Sequence, residues 1–200
     1  ETDLLERFPR TLHIAPEVCI MRHLKPHFAA HPGQYLTADL ESPLADLHFD
    51  VQQIPLADDS VEVILCNHLL EHVADDRKAL RELHRILRPG GWGILLSPVE
   101  KDYEKTYEDD SITDPDERTR IFGQYDHRRI YGADYTDRCV KRDSMPWRST
   151  TPRRSPTTNA VASPCLKTYL RGLQTLSTKE RILHFDEMSP PGSVTSVNVP

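Results

Sequence analysis

Val61-Glu62-Val63-Ile64-Leu65-Cys66 is followed by the stretch from Asp75 to Leu87 and then by Trp92-Gly93-Ile94-Leu95-Leu96-Ser97. The first run is apolar and β-branched, and Asp58-Asp59-Ser60 introduces it, so it reads as a buried strand. In the second, Ala79, Leu80, Leu83, Ile86 and Leu87 recur at three- and four-residue spacing, one apolar stripe along a helix. Pro89-Gly90-Gly91 is the breaker expected past that helix's end, and the third run reads as another buried strand. Strand, helix, strand at this spacing is a crossover, which places two parallel strands in a sheet with helices on both faces.

The pattern extends upstream. Thr11-Leu12-His13-Ile14-Ala15 reads as a strand stopped by Pro16, followed by a helix from Val18 to Phe28 interrupted at Pro26. Gln34 to Ala38 is a second strand, and Phe49-Asp50-Val51 a brief third. The predicted fold class is α/β, a doubly wound and mainly parallel sheet, with residues 1–140 as one domain. Beyond residue 140 the grammar changes: Ser, Thr and Pro supply 23 of the last 60 residues. Residues 141–200 are expected to be an atypical tail, partly disordered or irregular, with 141–164 as linker. Within it, Leu166 to Leu176 suits a short helix, and Ile182 to Phe185 would pair with Val194 to Val199 as a hairpin. A change of reading frame or a replaced segment would produce such a shift.

Charge excludes some partners. The 200-residue chain has a net charge of −6, but residues 1–140 carry 16 Lys/Arg against 27 Asp/Glu, and the tail nine against four. An acidic body repels phosphates, so nucleic acid is disfavoured as a partner. No apolar run reaches the roughly 18 residues of a membrane span, and no signal peptide opens the sequence, so a cytoplasmic location without membrane contact is expected. The chain starts at Glu1, as a trimmed or partial sequence would. Four scattered cysteines without a C-x-x-C pair read as reduced thiols. Oligomeric state has no signal here.

In an open parallel sheet, ligands bind outside the carboxyl ends of the strands. Those ends carry His13-Ile14-Ala15-Pro16-Glu17, Asp39, Asp50 and Asn67-His68, a polar series that suits a nucleoside-like ligand. A carboxylate past the second strand can accept both ribose hydroxyls, and another beside a backbone N–H can read the edge of adenine. A turn or cap role for Asp39 and Asp50 competes with that reading.

The run from Asp50 to Asp76, with Ile54-Pro55-Leu56, Asp58-Asp59-Ser60, Leu70-Glu71-His72-Val73 and then Leu87-Arg88-Pro89-Gly90-Gly91, resembles class I (Rossmann-like) S-adenosylmethionine-dependent methyltransferases. The resemblance spans residues 11 to about 135. It implies methyl transfer to an acceptor, a small molecule by preference, with S-adenosylmethionine as cofactor and S-adenosylhomocysteine as product. Carried across, His13, Ile14, Ala15 and Pro16 form the first cofactor-binding turn, Asp39 and Leu40 the ribose site, Asp50 and Val51 the adenine site, and Asn67 and His68 the wall beside the methionine moiety. One departure stands out: the glycine-rich first turn of the family is glycine-free here, as in a bacterial subset with an H-I-A-P-E turn. That departure keeps a degenerate, non-catalytic binding module as the alternative.

Acceptor-side candidates lie between Tyr103 and Tyr135. Gly123-Gln124-Tyr125-Asp126-His127-Arg128-Arg129-Ile130-Tyr131-Gly132 resembles a run of the same subset. The expected roles are His127 as base, Tyr131 and His68 beside the reacting groups, and Tyr103, Tyr107 and Arg129 in substrate binding. A solvated helix end competes with each of these. His68-Leu69-Leu70-Glu71-His72 also fits the H-x-x-E-H motif of zinc hydrolases, which needs both histidines on one helical face and a further ligand. No second-ligand motif accompanies it, so zinc hydrolysis is the remote alternative and no metal is expected.

Overall fold

The structure, a computed structural model, describes residues 4–142, 145–146 and 180–184. After a short helix α1 (Leu4–Arg7), β1 (Thr11–Ile14), α2 (Val18–His27), β2 (Tyr35–Asp39) and β3 (Leu47–His48) lead to β4 (Val61–Asn67). Then come α3 (Asp76–Ile86), β5 (Leu87–Pro98), β6 (Tyr107–Glu108), α4 (Pro115–Phe122), β7 (Arg129–Ile130) and α5 (Tyr135–Val140). The short β8 (Lys141–Arg142) and β9 (Met145–Pro146) pair antiparallel, and β10 (Glu180–His184) is the last strand described.

The main sheet has six strands in the order β10-β5-β4-β1-β2-β3. Five run parallel, and β10 lies antiparallel on β5 with Ile182 opposite Leu96. Between β1 and β4 the winding reverses, because β2 and β3 lie to one side of β1 and β5 beyond β4. That reversal is the switch point where a doubly wound sheet opens a crevice.

Period-two alternation sorts β4 between two cores. Val63 and Leu65 face Ile20, Met21, Leu24 and Phe28, from α2 and its C-terminal cap, whereas Ile64 and Cys66 join Ala79, Leu80, Leu83 and Ile86 of α3 and Tyr135 and Cys139 of α5. Helices therefore cover both faces, as the apolar patterns predict. Asp75 caps α3 by accepting from the Lys78 amide at 2.8 Å, a contact worth about 1 kcal/mol. Among the described residues Cys19, Cys66 and Cys139 are free thiols.

Several boundaries differ from the sequence reading. Helix α2 continues past Pro26 by one residue, to His27, and Phe28 caps it; the proline gives up one ladder bond just before the helix ends. The brief third strand lies at Leu47–His48, two residues before the expected start, because so short a strand has no periodicity to mark it. The Pro89-Gly90-Gly91 breaker does not precede β5 but lies inside it. Leu87 pairs with Val61 and Trp92 with Val63, leaving the intervening residues as an irregularity. Gly91 is required there, since a Cβ would come within 2.7 Å of the Glu62 carbonyl oxygen. In the tail, the expected strand around Ile182 exists, but it adds to β5; its expected hairpin partner and the helix at 166–176 lie outside the described residues.

Candidate active site

The glycine-free turn after β1 adopts a conformation that glycine would favour. Ala15 has φ +49°, and its amide donates to the Ala38 carbonyl at 2.8 Å. Beyond β4, His68 likewise has φ +50°, and its amide donates to the Leu96 carbonyl at 2.7 Å. Left-handed geometry in a residue with a Cβ costs about 1–3 kcal/mol and concentrates at ligand sites. Here it follows both strands that flank the switch point.

Between these turns lies a carboxylate absent from the expected site residues. Glu17 meets Nε2 of the fully buried His13 at 2.7 Å and accepts from the Asn67 side-chain amide at 2.9 Å. His13 Nδ1 meets the Tyr35 hydroxyl at 2.7 Å, so the imidazole is held from both sides. His13 thus orients Glu17 from beneath the crevice. Partial burial pushes the Glu17 carboxyl up, but His13 and the Asn67 amide outweigh it and hold the group below its ordinary value. A carboxylate just past the first strand's turn, in place of the family's glycines, was the sequence signal for it.

Asp39 and Asp50 both serve their own turns. Asp39 Oδ1 accepts from the amides of Glu41 and Ser42, at 2.9 and 2.8 Å. Its Oδ2 has no protein hydrogen bond among the described residues. Asp50 is exposed and accepts from the Gln52 amide at 2.8 Å, while Val51 behind it is buried and Leu40 is exposed. A turn role and an outward-facing oxygen coexist at Asp39.

Strand β6 pairs with β7, and α4 closes the loop between them. Tyr103 and Tyr107 are exposed. Gly132 packs against the backbone of this loop; a Cβ there would lie 2.6 Å from the Tyr103 carbonyl oxygen. The residues after α4 then dock onto the 70–76 segment. The Arg128 amide donates to the Glu71 carbonyl, and the His127 and His72 rings meet edge to face with centroids 4.8 Å apart.

This docking corrects two expected roles. Arg129 is buried, donating to the carbonyls of Leu70, Val73 and Ala74 at 2.6, 2.7 and 3.0 Å and to Glu108 at 3.1 Å. Its guanidinium clamps the chain and is not offered to an anionic substrate. Tyr131 is buried too and donates to Asp76 at 2.8 Å. Burial, reinforced by the Asp76 charge, pushes its phenol well above the ordinary value, so it is no base near neutral pH. Nor does His68-Leu69-Leu70-Glu71-His72 form a helix: residues 68–74 turn, and His68 is exposed in left-handed geometry. The shared helical face of an H-x-x-E-H zinc motif is absent. Glu71 is buried and accepts from the Ser97 hydroxyl at 2.9 Å; its partner His68 Nδ1 lies at 3.6 Å.

Residues 20–95 match the family described as methyltransferase domain. The demethylmenaquinone methyltransferase of Staphylococcus epidermidis is 36% identical over 64 residues, which cover 32% of this chain and 26% of that protein. That of Chlamydia pneumoniae is 33% identical over 93 residues, covering 38% and 40% respectively. The match reaches only 14% of an uncharacterized transposon protein from Streptomyces fradiae. The chain therefore spans well under half the length of these curated relatives. Among solved structures, the YcgJ protein of Bacillus subtilis superposes with a TM-score of 0.53 at 15% identity, over 90% of this chain and 92% of that one. At that identity the likeness speaks for the fold, and the fold agrees with the sheet order and the two helical layers. The domain match over residues 20–95 lies on this sheet, so that part of the chain is similar to the methyltransferase domain family and the fold is Rossmann-like.

Proposed function

We propose that the chain is an S-adenosylmethionine-dependent methyltransferase acting on a small-molecule acceptor. The observation that carries the reading is the hydrogen bond between Glu17 and Asn67 beside the left-handed Ala15 turn, at the ends of the two strands that flank the switch point. The residues present fit the cofactor. A turn already in left-handed geometry supports close backbone approach without glycine, and an ionised carboxylate suits a ligand bearing a sulfonium and an ammonium group. Ala15, Glu17 and Asn67 would hold the methionine part, Asp39 would offer Oδ2 to the ribose, and Asp50 with Val51 would flank the adenine. When bound, the cofactor supplies an activated methyl group for in-line displacement.

The chain's own work is then alignment and exclusion of water. The β6–α4–β7 segment, pinned by Arg129, would cover the acceptor side, where Tyr103 and Tyr107 are exposed. His127 lies on this segment, half-buried, and is the candidate base as long as its Nε2 holds no metal ion. Relatives named for demethylmenaquinone and for dimethylglycine support an acceptor of small size. No helix among the described residues is long and apolar enough to cross a membrane. The test is calorimetric titration of the purified chain with S-adenosylhomocysteine. Micromolar binding is expected; no binding by folded protein would favour the degenerate module.

A further inference from the structure

We infer that Glu71, His72 and His127 form a binding site for a first-row divalent metal ion such as zinc or cobalt. One ligand atom from each lies within 4.8 Å of the other two, although His127 is more than fifty residues from the pair. Each imidazole has an accepting group beside Nδ1. His127 Nδ1 faces the Phe122 carbonyl at 3.1 Å, and His72 Nδ1 faces the Asp126 carboxylate at 3.2 Å. Carbonyls and carboxylates only accept, so these contacts favour the tautomer with the proton on Nδ1, which leaves Nε2 as the atom each imidazole would offer to a metal. A carbonyl or carboxylate holding the far nitrogen is the arrangement that orients histidine toward a metal.

Glu71 completes the set from the interior. The Ser97 hydroxyl fixes one of its carboxylate oxygens, and the Arg128 amide donates to its backbone carbonyl, tying the ligand loop to the segment that carries His127. Two imidazoles and one carboxylate match zinc, cobalt and nickel better than magnesium or calcium, which prefer all-oxygen shells. Bonds of about 2.1 Å in a tetrahedral shell place ligand atoms about 3.4 Å apart, so side-chain rotations of about an ångström would close the site, leaving an open coordination position. The site uses the Glu-His half of H-x-x-E-H, with His127 in place of His68. Because Ser97 and Asn67 lie near the ends of adjacent strands, the ion would lie on the crevice side of the sheet, suited to an acceptor's anionic oxygen.

The test needs no cofactor and so stands apart from the methyltransferase reading. The full chain, stripped with a chelator, is titrated with cobalt while its visible ligand-field absorption is followed, and zinc is then added in competition. One equivalent of cobalt, displaced by zinc, is expected. His72→Asn and His127→Asn should each weaken binding at least a hundredfold, Asp126→Asn by about tenfold, and His68→Ala should leave it in place. Circular dichroism and urea unfolding establish which variants are folded; Glu71→Gln serves if a histidine variant is not. Absence of cobalt bands in the wild type would overturn the proposal. So would bands that persist unchanged in folded His72→Asn, His127→Asn or Glu71→Gln.

Discussion

The Asn67 side-chain amide donates to Glu17 at 2.9 Å across fifty positions of sequence, joining the ends of the two strands at the switch point. The contact exists because β1 and β4 are neighbours in register, with Ile14 opposite Cys66.

Glu17→Gln should therefore act at the crevice and not on the core. It keeps the shape but removes the charge, and affinity for S-adenosylhomocysteine should fall about tenfold, or roughly 1.4 kcal/mol. Calorimetry on the folded variant measures this; unchanged affinity would remove Glu17 from the site.

Asp39→Ala should weaken the same binding by more than about tenfold if Oδ2 meets the ribose. Its Oδ1 bonds to Glu41 and Ser42 make some loss of stability inevitable, so Asp39→Asn is the companion variant. Ribose recognition requires both variants to lose affinity under conditions where both remain folded.

Ala15→Gly relieves left-handed strain at φ +49°. The variant should be stabilised by about 0.5–1 kcal/mol in urea unfolding, with no loss of cofactor affinity. A destabilised variant would mean the Ala15 methyl makes packing contacts worth more than the strain.

Arg129→Lys should destabilise by about 3 kcal/mol, because the buried carbonyls of Leu70, Val73 and Ala74 lose a planar fork that an ammonium cannot replace. A residue serving only to bind substrate would leave the unfolding curve where it was.

Acid should loosen the same segment. Partial burial pushes the Glu108 carboxyl up, but Arg138 and then Arg129 outweigh it and hold it below its ordinary value of 4.5. A depressed folded-state value means the contribution is complete above about pH 5 and is lost as pH falls through the folded value. Glu108→Gln should flatten that part of the stability profile, read from urea midpoints across acid pH. An unaltered slope would assign the acid sensitivity to other carboxylates.

The strands around Val61 and Trp92, the helix over Asp76–Ile86 and the parallel crossover were legible from the sequence, because each rests on a period of two or 3.6 residues repeated several times. The roles of Arg129 and Tyr131 were not. Side-chain types mark both as candidates, but whether they meet solvent or a carbonyl depends on chain 55 or more positions away. Glu17 falls between: its place at a strand end is sequence information, while its bond to Asn67 is not. Local patterning thus determined which segments are strands and helices and which faces they bury. Only the tertiary structure decided which polar groups are consumed within the protein and which remain for a ligand, because hydrogen-bond partners are set by spatial neighbours that periodicity cannot identify.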